Sequence, residues 1–315
     1  MNILVFGAGA VGQAVGCMLA ASGHTVSMIL RERHRVIIDG GGLAVTGLYG
    51  DHAVPAGAIR AFTDVSECAG ERFNYTLITV KSYDTVTAAD SLRMLDHPGL
   101  VAVSMQNGCG NLEVVEERFG PERTLGARVI TGFEIERPGL VRITVSADAI
   151  HIGGFNEGTV PGSARIIADA VNASGLPCTV TPYIRRDLFA KLLYNSALNP
   201  LGAALGVHYG ALGDNPHART IMNGVIEEVF AVMKTMNVAT HWDTPGEYME
   251  FFYSNQIPAT YHHRSSMLQD LERGSRTEIE ALTGYVGRQG RIYGIPTPVC
   301  DTLSEIVRFL ERNRG

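Results

Sequence analysis

Apolar and polar positions follow different patterns in the two halves of this chain. In the first half, short apolar runs typical of buried strands are separated by segments with the periodicity of helices. The predicted strands occupy residues 3–6, 25–30, 43–45, 52–54, 75–80, 100–105, 125–130, 140–145, 149–152 and 178–180. The predicted helices occupy residues 11–21, 84–95, 112–118 and 162–174. This alternation favours a doubly wound, mostly parallel sheet with a more antiparallel extension.

Beyond residue 183 the strand pattern gives way to helical periodicity. Predicted helices occupy residues 186–205, 218–236, 246–255, 276–293 and 297–312. We therefore predict an α/β protein with a sheet domain in residues 1–183 and an all-α domain in residues 184–315. A cleft is expected between two such domains, and ligand sites favour domain interfaces and the carboxyl ends of parallel strands.

A glycine-rich turn, FGAGAVG at residues 6–12, joins the first predicted strand to the first predicted helix. In that context the Gly-x-Gly-x-x-Gly spacing indicates dinucleotide binding and makes the sheet domain Rossmann-like. The first glycine allows the tight turn, the second allows close approach of a pyrophosphate, and the third allows close helix packing. The alternative is a plain glycine-rich turn. The predicted pyrophosphate-binding residues are Gly7, Ala8, Gly9, Ala10, Val11 and Gly12.

The residue at the end of the second predicted strand distinguishes between the two nicotinamide dinucleotides. NAD-specific proteins of this class place Asp or Glu there, whereas this chain has Arg31, 19 positions after Gly12. A guanidinium binds a 2′-phosphate that a carboxylate would repel, so NADP is favoured over NAD. A solvated charged turn is the alternative, and the neighbouring Glu32 keeps NAD open.

Composition and charge narrow the class of protein further. The net charge of −6 and a pI near 5.9 argue against a nucleic-acid partner. No apolar run reaches the roughly 18 residues of a membrane span, and the first predicted strand begins so early that no signal peptide is expected before it. The five cysteines show no metal-binding spacing, so reduced thiols, no metal site and a cytoplasmic location are expected.

Polar residues directly follow two of the predicted strands. Lys81 comes after residues 75–80, and Asn107 comes after residues 100–105. Both should lie at the carboxyl edge of the sheet, where a dinucleotide binds. Lys81 is predicted to contact the cofactor or a substrate anion, and Asn107 a cofactor ribose or a substrate carboxylate. Taken singly, a surface lysine and an ordinary Asn-Gly turn are the alternatives.

The helix predicted at residues 186–205 has a row of polar side chains among apolar ones. Lys191, Asn195 and Asn199 are spaced by four residues and therefore share one face. Buried donors need partners, which a ligand could provide, and a lysine removed from water has a lowered pKa suited to proton transfer. Pro200 disfavours α geometry at Asn199 and could kink the helix. The alternative is a polar row that faces solvent.

A later segment adds hydroxyl and carboxylate candidates, Ser266 and Glu278. Thr277 or Ser275 could cap the helix predicted at residues 276–293, with Glu278 in its first turn. Alternatively, Glu278 points into the cleft towards the lysine. Spacing alone leaves these two possibilities open.

Together these motifs resemble the ketopantoate reductase (2-dehydropantoate 2-reductase) family over essentially the whole chain. The matching segments are FGAGAVG at 6–12, VKSYDT at 80–85, QNGCGN at 106–111, KLLYNSALNPLGAAL at 191–205, SSMLQDLERGSRTEIEALTGYV at 265–286 and GIPTPV at 294–299, with Arg31 after the second strand. The resemblance implies NADPH-dependent reduction of a branched 2-oxo acid, 2-dehydropantoate, to its 2-hydroxy acid in pantothenate biosynthesis.

The resemblance also assigns roles on the substrate side. Lys191 matches the general acid that protonates the carbonyl oxygen and stabilises the developing alkoxide. Asn195 matches a residue that binds the substrate hydroxyl, with Asn199 nearby. Ser266 matches the serine that holds the substrate carboxylate.

On the cofactor side, Arg31 and Lys81 match cofactor-contacting residues, and Gly132 takes a small position near the nicotinamide. Asn107 matches a residue that bridges cofactor and substrate. Glu278 matches a glutamate near the nicotinamide ribose and the lysine, and is predicted to be catalytic as well as cofactor-binding.

Some positions depart from the family pattern. Arg128 stands in the strand before Gly132, and Phe133 and Glu134 replace small or basic residues. A further substrate-binding Asn expected after the helix is replaced around Tyr209. A different 2-oxo acid or related carbonyl is therefore an alternative substrate. A non-catalytic NADP-binding sensor is a further alternative, although it would not need the Lys191 set. A homodimer is possible, but the pattern does not require one.

Overall fold

In the computed structural model, residues 1–313 are described, and the chain divides into two compact units. The sheet unit comprises Met1–Asn107 and Asn111–Arg185. The helical unit comprises Gly108–Gly110 and Arg186–Gly315. The helical unit thus includes three residues of the QNGCGN loop, an assignment that no local sequence pattern predicts.

The strands of the described residues form two sheets. They are β1 (Asn2–Phe6), β2 (Thr25–Ile29), β3 (Leu43–Gly47), β4 (His52–Val54), β5 (Ile59–Phe62), β6 (Tyr75–Ile78), β7 (Val101–Ser104), β8 (Thr124–Arg128), β9 (Thr131–Arg137), β10 (Leu140–Ser146), β11 (Ile150–Gly154) and β12 (Cys178–Val180). The larger sheet has the order β12-β11-β8-β7-β6-β1-β2-β5, and the smaller has the order β4-β3-β10-β9.

The helices of the described residues belong partly to the sheet unit, and the others make up most of the helical unit. They are α1 (Ala10–Ala21), α2 (Glu32–Gly41), α3 (Thr85–Leu92), α4 (Asn111–Phe119), α5 (Gly162–Ala173), α6 (Ile184–Leu205), α7 (Tyr209–Asp214), α8 (Pro216–Thr235), α9 (Pro245–Phe251), α10 (Ile257–Ala259), α11 (Ser266–Glu272), α12 (Thr283–Tyr293) and α13 (Pro298–Asn313).

The larger sheet is doubly wound, as predicted. Strand β1 lies between β2 and β6 and is parallel to both, and the chain continues outward on either side through parallel neighbours. Only β11 runs antiparallel to its neighbour β8. The carboxyl end of β1 is therefore the topological switch point, the position at which open α/β sheets bind ligands.

The smaller sheet packs against α1 through the buried face of its strands. Leu43, Val45, Val141 and Ile143 are buried in the same core cluster as Cys17 of α1. The predicted hairpin of residues 43–45 and 52–54 is confirmed, since β3 and β4 pair antiparallel. These apolar contacts hold α1, the helix that follows the glycine-rich turn, in a fixed position.

One prediction for the helical unit is wrong in detail, and another is confirmed against a local preference. The helix predicted from residue 276 begins at Thr283, because residues 279–281 form a separate 3-10 turn. Asn199 is helical despite the proline that follows it, since α6 continues through Pro200 to Leu205. The proline costs the helix a backbone hydrogen bond, but packing in the buried core holds the segment helical.

The cysteines of residues 1–313 form no disulfide bond. Burial raises the pKa of the Cys17 thiol to about 11, so this group stays protonated near neutral pH. Within residues 1–313, no group of three or more His, Cys, Asp or Glu side chains is arranged to hold a metal ion. No helix in that range is both long enough and apolar enough to cross a membrane.

Candidate functional site

The glycine-rich turn begins with a backbone conformation that favours glycine. Gly7 has a φ of +119°, where other residues pay a steric penalty. Its N–H donates to the Ile29 carbonyl oxygen at 2.9 Å. A Cβ at this position would lie 2.8 Å from the backbone nitrogen of Val80. The turn is thus held between β2 and the segment that follows β6.

Gly12 and Gly9, the other two glycines of the motif, differ in how much space the protein leaves for a side chain. A Cβ at Gly12 would overlap the Gly7 carbonyl oxygen and lie 2.5 Å from Thr79 Oγ1, so packing inside the protein excludes a side chain. A Cβ at Gly9 would meet no heavy atom within 4 Å, and its φ of −70° is open to any residue. The fold itself therefore does not require glycine at position 9. The open space beside Gly9 fits the close approach of a pyrophosphate.

The amino end of α1 offers backbone donors to an anion. Gly9 is the N-cap and supplies no side-chain hydrogen bond, and the first turn contains no acidic residue. The N–H groups and the helix dipole favour a negative charge there. The Ala8 carbonyl oxygen accepts hydrogen bonds from Gln13 Nε2 at 2.7 Å and His34 Nδ1 at 3.0 Å. These two side chains, which sequence reasoning missed, hold the turn in place.

Arg31 is the N-cap residue of α2 and its side chain is 69% exposed. Its guanidinium lies 4.0 Å from the Asp84 carboxylate, and such exposed ion pairs contribute little, so the guanidinium is accessible to a phosphate. Arg33 Nε donates to His34 Nε2 at 3.0 Å. Burial and the Arg33 charge lower the pKa of His34, so the ring stays neutral and can accept that hydrogen bond.

Hydrogen bonds join the two polar loops that follow β6 and β7. Gln106 Nε2 donates to the Val80 carbonyl oxygen at 3.0 Å and to Thr85 Oγ1 at 2.7 Å. Thr85 Oγ1 contacts Asn111 Oδ1 at 2.8 Å, and Asn111 Nδ2 donates to the Asn107 carbonyl oxygen at 2.9 Å. This network links the loop of Lys81 to the backbone of Asn107. Gln106, Thr85 and Asn111 were not predicted as site residues, although all three lie in the VKSYDT and QNGCGN segments that follow the two strands.

The polar row on α6 is buried rather than facing solvent. Asn195 is 8% exposed and Asn199 is 6% exposed, while Lys191 is half-buried. Spacing by four residues places the three on one face of the continuous helix. The solvent-facing alternative is therefore wrong. Asn199 Oδ1 accepts a hydrogen bond from the Tyr209 hydroxyl at 2.5 Å.

The two late candidates belong to other elements of the helical unit. Ser266 is the exposed first residue of α11, and the neighbouring Ser265 caps that helix by accepting from Leu268 N at 3.0 Å. Glu278 is 8% exposed and precedes the 3-10 turn. Thr277 Oγ1 accepts from Ile279 N at 3.2 Å, so it caps this turn rather than α12. The alternative that places Glu278 in the first turn of a helix from residue 276 is therefore wrong.

Two positions that depart from the family pattern, Arg128 and Phe133, and the small residue between them, Gly132, have structural explanations in the sheet unit. Gly132 lies in β9, where a Cβ would come 2.8 Å from Thr144 Oγ1. Arg128 is buried and pairs with Asp148 at 2.5 Å. Burial alone would raise the pKa of Asp148, but the hydrogen bond and charge of Arg128 outweigh it and lower that pKa. Phe133 packs against the core cluster.

Comparison with known proteins identifies related sequences over nearly the whole chain. The family model described as ketopantoate reductase PanE/ApbA matches residues 3–157, and the model of the C-terminal part of ketopantoate reductase PanE/ApbA matches residues 183–311. A 2-dehydropantoate 2-reductase of Aquifex aeolicus is 35% identical over 313 residues, which cover 99% of this chain and 97% of that protein.

Solved structures show the same architecture. The crystal structure of a PanE/ApbA family ketopantoate reductase from Ralstonia eutropha JMP134 is 30% identical, with a TM-score of 0.86, covering 100% of this chain and 99% of that chain. The ternary structure of D-mandelate dehydrogenase with NADH and anilino(oxo)acetate is 24% identical, with a TM-score of 0.88 and the same coverage. The second likeness concerns the fold alone.

Proposed function

Because this chain belongs to the ketopantoate reductase family, we propose that it reduces 2-dehydropantoate to pantoate with NADPH. As a member of that family it is an oxidoreductase that acts on a CH–OH group and depends on a pyridine nucleotide. The observation that carries the more specific proposal is the buried polar face of α6. Lys191, Asn195 and Asn199 lie together there in a wall of apolar residues.

The proposed roles follow from the chemistry of each side chain. Lys191 donates a proton to the carbonyl oxygen of the substrate, and its charge stabilises the alkoxide that develops there. Asn195 and Asn199 hold the substrate by hydrogen bonds, and Ser266 binds its carboxylate. Glu278 is proposed to position the lysine and the nicotinamide ribose. Bound NADPH supplies the hydride.

The proposed cofactor contacts lie in the sheet unit. The backbone of residues 7–12 and the amino end of α1 would hold the pyrophosphate, for which the bare space at Gly9 is suited. Arg31 would bind the 2′-phosphate, and Lys81, Asn107 and Gly132 the nicotinamide half. These assignments favour NADPH over NADH because only NADPH carries a 2′-phosphate, whose negative charge the exposed Arg31 guanidinium can bind.

Replacing Arg31 by alanine should weaken NADPH binding far more than NADH binding. A hydrogen bond to a charged group contributes about 1.5–3 kcal/mol, so the Kd for NADPH should rise by roughly ten- to a hundredfold. Titration calorimetry with each dinucleotide measures this. Arg35→Ala is the control, since Arg35 already pairs with Asp39 and Glu67, each at 3.4 Å. Equal losses for NADPH and NADH would remove Arg31 from this role.

The reaction is tested by following the loss of NADPH absorbance with 2-dehydropantoate and with smaller and bulkier 2-oxo acids. We expect 2-dehydropantoate to have the highest kcat/KM of the panel. The presence of Tyr209 and Arg128 at positions where the family pattern differs favours one second candidate, the reduction of another 2-oxo acid on the same residues. A higher kcat/KM for such an acid would replace 2-dehydropantoate as the substrate and leave the reaction class unchanged.

A further inference from the structure

The Tyr209 hydroxyl and the Asn199 side chain form a buried hydrogen bond in the helical unit. Tyr209 is 2% exposed, and its hydroxyl lies 2.5 Å from Asn199 Oδ1. Burial raises the pKa of Tyr209 well above its usual value, so the hydroxyl keeps its proton and acts as the donor. The amide oxygen of Asn199 is therefore already hydrogen-bonded within the protein.

The ring of Tyr209 is held in place on several sides. It packs edge-on against Tyr194, with ring centroids 5.8 Å apart, and against His263 at 5.1 Å. The Tyr209 backbone N–H donates to the His263 carbonyl oxygen at 3.0 Å. A ring confined in this way points its hydroxyl in one direction, so the hydrogen bond to Asn199 is a fixed feature of the site.

A fixed tyrosine donor determines which way the Asn199 amide faces. The amide oxygen must face Tyr209, because the opposite orientation would leave the hydroxyl proton of Tyr209 without its acceptor. The Nδ2 group with its two hydrogens then faces away from Tyr209. Among residues 1–313, the Asn199 side chain hydrogen-bonds to the Tyr209 hydroxyl alone, so the two Nδ2 hydrogens are available to a ligand.

Asn199 and Lys191 are thus both hydrogen-bond donors on the same face of α6. Eight residues of helix separate them by about 12 Å along the axis. A substrate whose carbonyl meets Lys191 would present the end of its side chain towards the two asparagines. We propose that Tyr209 is a specificity-determining residue, which orients Asn199 to donate and so selects 2-oxo acids with an oxygen atom on the side chain. This inference rests on the proposed 2-oxo acid reduction.

Three substrates test this proposal directly. They are 2-dehydropantoate, 3,3-dimethyl-2-oxobutanoate, which lacks only the hydroxyl, and 4-methoxy-3,3-dimethyl-2-oxobutanoate, whose oxygen can accept but not donate. The wild type should prefer 2-dehydropantoate over the deoxy acid, and should retain part of this preference for the methoxy acid. A wild type that rejects the methoxy acid as strongly as the deoxy acid would contradict a donating Asn199.

In the Tyr209→Phe variant the amide is free to turn, so the preference for 2-dehydropantoate over the deoxy acid should fall about five- to tenfold, the equivalent of one hydrogen bond. The change should appear mainly in KM for 2-dehydropantoate, with kcat/KM for the deoxy acid changed less than about twofold. Asn199→Ala should remove the preference to a similar extent.

Tyr248→Phe is the matched control. Tyr248 is equally buried in the helical unit, and its hydroxyl donates to another amide oxygen, Gln256 Oε1, at 3.0 Å. The Tyr248→Phe variant should lower thermal stability as Tyr209→Phe does but leave the substrate preference unchanged. A preference unaffected by Tyr209→Phe, or an equal loss for both substrates, would overturn the inference. Failure of the wild type to reduce any of the three acids would instead contradict the proposed function, and this inference with it.

Discussion

The Lys191→Ala variant is expected to lose between about a hundredfold and ten-thousandfold in kcat, the range typical of a general acid. Alanine can neither donate a proton to the carbonyl oxygen nor stabilise the alkoxide. The binding of NADPH should change little, because the predicted contacts of the dinucleotide with Arg31 and the glycine-rich turn lie in other parts of the chain. The loss should therefore fall on turnover rather than on cofactor affinity.

Steady-state NADPH oxidation and calorimetric titration of NADPH measure the two quantities separately. Lys234→Ala, at an exposed position on α8, is the matched control for removing a lysine. It should keep wild-type turnover. If Lys191→Ala turned over substrate at close to the wild-type rate, Lys191 would not be the proton donor, and another acid would have to be sought.

The second large effect is expected from Gly9→Ala. This substitution should leave the thermal stability of the cofactor-free protein nearly unchanged, because a Cβ at Gly9 meets no atom within 4 Å and its backbone angles suit alanine. The same methyl group would occupy the space that the pyrophosphate needs. The loss of two or more hydrogen bonds to a charged group, about 1.5–3 kcal/mol each, should weaken NADPH binding by a hundredfold or more.

Thermal unfolding of the cofactor-free protein and NADPH titration distinguish this outcome from general damage. Gly40→Ala is the control: Gly40 lies in α2, also has open space around its Cβ position, and should keep both stability and affinity. Gly12→Ala should lower stability as well, since its Cβ would overlap the Gly7 carbonyl oxygen. Full NADPH affinity in Gly9→Ala would show that the pyrophosphate does not approach this residue.

The fold class was predictable because its determinants are local in sequence. The strand of residues 3–6 and the helix of residues 11–21 show their periodicity in their own residues, and both are confirmed as β1 and α1. Strand β5 was missed because Arg60 interrupts its short apolar run. Strand β9 was missed because Phe133 and Ile135 are its only large apolar residues and charged residues adjoin them, so its apolar–polar alternation is short.

Two segments of the helical unit show a competition between a local preference and packing. Pro200 disfavours helix at Asn199, yet the buried core of the helical unit keeps α6 continuous there. Residues 276–282 have a helix-compatible composition, but a 3-10 turn interrupts the segment before α12. Both segments make contacts with residues far away in the sequence: α6 packs in the buried core, while Thr277 N–H donates to Glu311 and Glu280 pairs with Arg308.

The sequence by itself determined the Rossmann-like sheet followed by helices, the family, and the row of Lys191, Asn195 and Asn199, because these depend on periodicity and on motifs of contiguous residues. Only the tertiary structure decided that this row is buried, that Gln106 joins two loops, and that Tyr209 holds Asn199. The physical reason is that burial and hydrogen-bond partners depend on which surfaces the folded chain brings together, and neither can be deduced from the spacing of residues alone.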